Sequence, residues 1–232
     1  MTIKTTVILC TYNEELIIKE TILSILKYNK GVEIVIVDDS STDKTVKIIE
    51  EINSEQITLI KRKSRGLGAA CLVGLLYSKG ENICWIDSNL PDLAEKIPLM
   101  ISKLHKNNIV VMSRYVDGGG DFRSFQRILS SKVINYICRF FLDKKIKDYT
   151  SGIFAIKKSF LINNTPISYG HGEYFIELLY KATKNGYEVV EIPYVQPPDI
   201  EGLSKTTSSF MRFLKLGLQY IIRIINCKIR PN

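Results

Sequence analysis

One rhythm runs through the first half of the chain and limits the fold more than any other feature. A short apolar run is followed by a polar turn, then by apolar residues at helical spacing. Residues 6–10 form the first strand candidate. Residues 14–28 follow, with Leu16, Ile17, Thr21, Ile22, Ile25 and Leu26 on one helical face. Gly31 closes that helix. Residues 33–37, 57–60, 82–86 and 109–112 repeat the strand signal, with helix signals over 44–53 and 68–78. Ser40-Ser41-Thr42-Asp43 offers N-cap side chains for the helix at 44–53. Strands alternating with helices predict an α/β fold with a mostly parallel central sheet and right-handed crossovers. Ligands of such sheets sit beyond the carboxyl ends of the strands. Here those ends carry Cys10-Thr11-Tyr12-Asn13-Glu14, Asp38-Asp39, Asp87-Ser88-Asn89 and Ser113-Arg114-Tyr115. Polar and acidic groups are thereby expected along one edge.

The pattern changes after Val116. Gly118-Gly119-Gly120 reads as a flexible loop, and 125–142 as a long helix. Strand signals return at 152–157 and 189–194, with helix signals at 173–184 and 208–225. No Pro/Gly-rich linker or internal repeat divides the chain, so one domain over 1–207 is expected, followed by a C-terminal amphipathic helix in 208–232. The five cysteines are scattered, which argues for reduced thiols and against a zinc site or a disulfide frame. No basic-then-apolar leader is read near the start, so a cytoplasmic setting is expected. The net charge of +8 favours anionic partners, though a plain soluble basic protein would look the same. Aromatics do not interleave with a basic stripe, so nucleic acid is not expected as a partner.

Individual motifs leave alternatives open. Asp38-Asp39 before a Ser/Thr/Asp turn suits a ribose or base, and equally suits helix capping. Gly66-Leu67-Gly68 lets backbone approach a ligand, and equally lets a helix approach a sheet. The run "CWIDSNLPD" ends a strand in Asp87-x-Asn89.

The succession of blocks is far more specific. "ILCTYNEE", "VDDSSTDKT", "RGLGAA", "WIDSN", "SRYVDGGG", "RILSS", "DYTSGIFAIK" and "EGLSK" occur in order. From about Thr5 to Lys205 the chain resembles the inverting family 2 glycosyltransferases of the GT-A fold, a Rossmann-like class. Within them it is most similar to the dolichyl-phosphate mannose synthase branch, the polyprenyl-phosphate sugar synthases. The resemblance implies transfer of a hexose, mannose from GDP-mannose foremost, from a nucleotide-diphosphate sugar to polyprenyl phosphate. UDP-glucose, another acceptor, or a non-catalytic sugar-nucleotide-binding relative are the alternatives.

The resemblance also implies roles for residues. Tyr12, Asn13 and Glu14 belong to the nucleotide pocket, and Asp38 and Asp39 lie near base and ribose. Asp87 matches the first acid of the Asp-x-Asp motif that holds Mg2+ or Mn2+ on the diphosphate, and Asn89 stands where the second acid is expected. Arg114, Arg127 and Ser131 match phosphate-receiving positions, and Asp87, Arg114 and Arg127 are the catalytic candidates. Glu177 matches the acid of a Phe-Gln-x-Glu stretch, and Lys205 the lysine of the closing loop. At Asp199, which has an acid where the family pattern has an arginine, the match fails.

The last helix carries Phe210, Phe213, Leu214, Leu218, Ile221, Ile222 and Ile225, interrupted by Arg212, Lys215, Gln219 and Arg223. Those interruptions argue against a span, which needs ~20 predominantly apolar residues. A membrane-interface helix and a helix packed on the sheet or in a dimer are both compatible with it. Residues 133–142 are a second membrane-facing candidate. The expected setting is peripheral, on the cytosolic face of a membrane, with a homo-oligomer or small membrane-protein partner compatible with the same surface.

Overall fold

A computed structural model describes residues 4–164, 172–198 and 210–229. Seven strands form the central sheet: β1 (Thr5–Thr11), β2 (Glu33–Asp38), β3 (Ile57–Lys61), β4 (Asn82–Trp85), β5 (Asn108–Ser113), β7 (Phe154–Lys157) and β8 (Glu188–Pro193). Their order is β3-β2-β1-β4-β7-β5-β8. The mostly parallel sheet is as expected, with one exception: β7 runs antiparallel between β4 and β5. The strands on either side of it point the same way, so their carboxyl ends share an edge. A two-stranded ribbon, β6 (Gly120–Asp121) paired with β9 (Val195–Gln196), stands apart from this sheet.

Side-chain alternation along the strands builds two cores. Val7 and Leu9 of β1 face one, while Ile8 faces the other. The first core is covered by α1 (Ile18–Tyr28), a 3-10 turn (Pro91–Lys96) and α4 (Ile97–Ser102), with α2 (Thr45–Glu51) at its margin. The second is covered by α3 (Leu67–Tyr77), α5 (Phe125–Phe141), α6 (Lys158–Asn163), α7 (Glu173–Lys184) and α8 (Phe210–Ile229). β2 is buried along its whole length, as a central parallel strand should be.

The structure sharpens the sequence reading in three places. The helix expected over 14–28 begins at Ile18, after a turn in which the Glu14 carbonyl accepts the Ile17 and Ile18 N–H groups. Ser41 and Thr42 likewise fasten the loop after β1, and of the expected capping residues Asp43 serves α2, its Oδ1 accepting the Thr45 N–H at 2.9 Å. For the final helix, the sequence left open a packed helix and a membrane-interface helix, and the described part packs on the domain. Ile224 is buried against the second core, and Arg223 pairs with Glu177 on α7.

Candidate active site

The β1 and β2 ends are joined by short polar bonds. Thr11 Oγ1 donates to Asp38 Oδ2 at 2.9 Å, and the Asp39 N–H donates to the Thr11 carbonyl at 2.9 Å. Asp38 also accepts the Ser41 N–H at 2.9 Å, so its buried carboxylate closes its own turn. Asn13 takes a positive φ of 53°, a conformation asparagine tolerates. Its N–H donates to Ser41 Oγ at 2.9 Å, and its Oδ1 accepts the Thr42 N–H at 2.8 Å. The Glu14 N–H donates to Thr45 Oγ1 at 2.7 Å.

Asp39 reaches toward the third strand. Its Oδ1 pairs with Arg62 Nη1 at 2.6 Å and its Oδ2 accepts the Gly66 N–H at 2.7 Å. Burial raises the Asp39 pKa above the usual carboxylate value, although the Gly66 N–H and Arg62 act the other way. The expected nucleotide residues Tyr12, Asn13, Glu14, Asp38 and Asp39 are therefore gathered around one corner of the sheet.

Asp87 follows β4 and is half-buried. Its loop is held by Ser88, whose Oγ donates to the Cys10 carbonyl at 2.8 Å and whose carbonyl accepts Thr21 Oγ1 at 2.9 Å. Burial pushes the Asp87 carboxyl up to about 6. Nearby Glu14 adds to the rise, against Arg114, Arg123 and Arg127. Negative charge is thus held at a cost in this corner, a setting that attracts a cation. Among the described residues no three His, Cys, Asp or Glu side chains cluster as a metal cage. The donor set suits a cation taking one or two protein carboxylates and filling its shell with phosphates and waters, as magnesium does. Asn89 is exposed beside Asp87, where its amide oxygen is a neutral donor.

The other flank is built from arginines and carboxylates. Arg114, just past β5, is buried, and Asp148 grips it through Nε and Nη2, each at 2.8 Å. Its backbone N–H donates to the same carboxylate at 3.0 Å, and Nη2 also donates to Thr150 Oγ1 at 2.7 Å. Burial works to raise the Asp148 pKa, but the Arg114 charge and these hydrogen bonds hold it below the usual value. Arg123 pairs with Asp121 at 2.8 and 2.6 Å, and Arg114 Nη1 lies 3.6 Å from Asp121. Ser131 Oγ shares a 2.6 Å bond with Thr150, and Asn135 Nδ2 donates to Thr150 at 2.9 Å. The glycine triplet makes this turn feasible. Gly118 has φ +83°, and a Cβ on Gly119 would lie 2.7 Å from the Arg114 carbonyl oxygen.

These contacts add to what was expected of two site residues. Arg114 is clamped by Asp148 at the base of the cluster, which leaves Arg123 and half-buried Arg127 as the arginines nearer the surface. Glu177 lies on α7, where it pairs with Arg223 and, at 3.0 Å, with Lys181, tying α8 down. Ser131 also stands in the cluster, bonded to Thr150. Lys205 and Asp199 lie outside the described residues. Asp121, Arg123, Asp148, Thr150 and Asn135 were not singled out from sequence. Asp148 and Thr150 fall within the block "DYTSGIFAIK", where an acid before a polar turn was the available signal.

The model of glycosyl transferase family 2 matches residues 6–164. The chain belongs to that family. A dolichol-phosphate mannosyltransferase of Pyrococcus furiosus is 33% identical over 212 residues, covering 87% of this chain and 59% of the relative. The chain thus spans little more than half of that relative's length. A polyprenol monophosphomannose synthase of Mycolicibacterium smegmatis is 29% identical, covering 90% of this chain and 83% of the relative. Among solved structures, glucosyl-3-phosphoglycerate synthase of Mycobacterium tuberculosis with uridine diphosphate superposes with a TM-score of 0.73 at 19% identity, covering 99% of this chain and 81% of that one. A mannosyltransferase of Pyrobaculum calidifontis with GDP-mannose and Mn2+ gives 0.64 at 17% identity, covering 99% and 65%. Both likenesses support the GT-A fold of this family 2 glycosyltransferase.

Proposed function

We propose that this family member transfers mannose from GDP-mannose to a polyprenyl phosphate, inverting the anomeric centre. The observation that carries the reading is Asp87 at a strand end, under the charges of Arg114, Arg123 and Arg127. Two phosphorylated substrates repel each other, and such a cluster offsets that repulsion. Arginine suits the task because its planar fork binds phosphate oxygens in pairs. The names of the two curated relatives favour a polyprenyl acceptor and mannose.

In this scheme the corner around Tyr12, Asn13 and Asp39 binds the nucleotide. Arg127 and Arg123 receive the acceptor phosphate, while Arg114 and Ser131 hold the cluster in place. An acceptor phosphate oxygen, already anionic near neutral pH, forms the bond to the anomeric carbon. The bond from that carbon to the donor diphosphate breaks on the opposite face, which inverts the centre without a dedicated base. Asp87, with Asn89 beside it, would hold Mg2+ or Mn2+. Such a cation neutralises charge on a departing diphosphate.

A lipid acceptor requires a surface at the membrane. Phe122, Phe125, Leu129, Tyr136 and Phe140 are exposed in and beside α5, as are Leu218, Ile222, Ile225 and Ile229 on α8. Among the described residues no helix is long and apolar enough to cross a membrane. We read these faces as resting in a membrane interface, with basic residues adding about 1 kcal/mol each on an anionic leaflet.

Labelled GDP-mannose and UDP-glucose, offered separately with polyprenyl phosphate vesicles, test the reading. Lipid-extracted label is expected from GDP-mannose with the unaltered protein and not with a folded Asp87→Ala variant. Label from UDP-glucose alone would replace the donor. No lipid label from either donor would reject the acceptor.

A further inference from the structure

The arginine cluster contains one carboxylate that has no task in this scheme, Asp121. Its side chain is only 4% exposed. Its Oδ1 accepts Arg123 Nε at 2.8 Å, and its Oδ2 accepts Arg123 Nη2 at 2.6 Å. Oδ2 also accepts the Tyr115 hydroxyl at 3.2 Å and lies 3.6 Å from Arg114 Nη1. The backbone that carries this carboxylate is tied on both sides. The Gly120 N–H donates to the Tyr194 carbonyl at 3.1 Å, and the Phe122 N–H to the Gln196 carbonyl at 3.0 Å. These bonds make the β6–β9 ribbon, so the ribbon gives the carboxylate a fixed seat. Asp121 and Arg123 fall between the blocks "SRYVDGGG" and "RILSS", outside the motifs that carry the family resemblance.

A two-pronged grip fixes a guanidinium in angle as well as in place. This grip takes the Nε and Nη2 edge of Arg123 and turns the Nη1 side away from Asp121. The Arg123 charge is felt at Asp87 after β4 and at Tyr194 after β8, so the guanidinium stands over the strand ends. An arginine without such a grip would sample many rotamers, and ordering it would cost part of the binding energy. Resting on the transferase reading, which places an acceptor phosphate on this flank, we propose that Asp121 is a positioning residue for Arg123. It holds the guanidinium with its Nη1 side toward the phosphate before the acceptor arrives. Asp121 itself stays in place, because the ribbon, Tyr115 and Arg114 all hold it. A simpler view makes Asp121 a brake, a negative charge that repels the phosphate. The two views predict opposite signs.

The test is steady-state transfer of labelled mannose, with polyprenyl phosphate and GDP-mannose each varied at saturating levels of the other. The proteins are the unaltered chain, Asp121→Asn, Arg123→Ala, Arg123→Lys and the double variant Asp121→Asn with Arg123→Ala. Asparagine keeps the side-chain shape and one acceptor oxygen, so Asp121→Asn is expected to fold, and circular dichroism checks this. Asp121→Asn should raise the acceptor KM about five- to tenfold, a typical coupling between touching residues, with the donor KM unchanged. Arg123→Ala should raise the acceptor KM at least as much. In the double variant the Asp121→Asn step should add nothing, since the arginine it orients is gone. Arg123→Lys should keep a raised KM, because an ammonium carries the charge without the fork. An unchanged or lower acceptor KM in Asp121→Asn overturns the positioning role. So does a full effect of Asp121→Asn when Arg123 is already absent. A normal acceptor KM in Arg123→Lys also overturns it, and decides the matter alone if Asp121→Asn does not fold. If the unaltered protein transfers nothing to polyprenyl phosphate, the transferase reading falls and the positioning role with it. If it transfers and Asp121→Asn matches it, the positioning role alone falls.

Discussion

The two flanks of the candidate site are fastened by different chemistry. On the β1–β2 flank, hydroxyls, an amide and backbone N–H groups share small bonds around Asp38 and Asn13. On the β5–α5 flank, buried arginines meet buried carboxylates, as in Arg114 with Asp148. Where that flank meets solvent, at Asn13 and Thr42, water can replace the bonds, each contributing about 0.5–1.5 kcal/mol net. A buried ion pair cannot be halved so cheaply, since removing one partner strands the other charge. The Asn13 loop of the first flank should therefore tolerate damage, and the Arg114–Asp148 pair of the second should not.

The largest effect is expected at Asp148. Asp148→Ala should cost about 3–5 kcal/mol of stability, the usual penalty for orphaning a buried charge. Denaturant unfolding would measure it. Replacing Arg114 as well should recover part of that loss, and a double variant no better than the single one would mean the pair is not the unit of stability. The same pair sets an acid limit. The folded pKa of Asp148 is depressed, so its contribution is fully present above the unfolded value of about 3.9. It is lost as pH falls through the folded value. Stability should thus decline below about pH 4 in the unaltered protein, and more shallowly in Asp148→Asn.

Arg127 should come next. It is half-buried in the first turn of α5, and its charge acts on Asp87. A charge-assisted contact is worth about 1.5–3 kcal/mol, so Arg127→Ala should reduce turnover with polyprenyl phosphate by roughly one to two powers of ten. Nucleotide affinity should change far less. A fall in nucleotide affinity with normal acceptor dependence would move Arg127 to the donor side.

The same contrast explains what could be read in advance. The strand ends were legible because parallel strands leave short apolar runs that stop abruptly at Thr11, Asp38, Trp85 and Ser113. Helix α7 was legible at both ends because its apolar stripe is strong and its last turn is basic. The antiparallel direction of β7 was not, since a four-residue strand carries no mark of its orientation. Asp148 and Arg114 are 34 residues apart, and nothing in their local sequence says that one carboxylate will grip the other's guanidinium. Glu177 shows the same limit. A motif position suggested substrate, and its ion pair with Arg223 of α8 could be read only from the fold. Local pattern reports periodicity and turns, and long-range charge pairing is fixed only when the layers close.

The smallest effect should come from the β1–β2 flank, at Ser41. Its hydroxyl donates to Asp38 and accepts the Asn13 N–H, so Ser41→Ala removes two bonds at once. Asp38 keeps its bonds from Thr11 and from the Ser41 N–H, which does not depend on the side chain. The Asn13 N–H lies in a half-exposed loop where water can take the place of the hydroxyl, and Thr42 still holds the Asn13 side chain. The net cost should be about 1 kcal/mol, less than the sum of two lost bonds in a closed core. Because Asn13 and Tyr12 lead into the nucleotide corner, part of that cost should emerge as weaker donor binding, about two- to fivefold by calorimetry. Acceptor dependence should stay unchanged, since no bond of Ser41 reaches the arginine cluster. If Ser41→Ala instead destabilised the protein as much as Asp148→Ala, the loop would be acting as one cooperative unit. The proposed division between a tolerant nucleotide flank and a brittle phosphate flank would then fail.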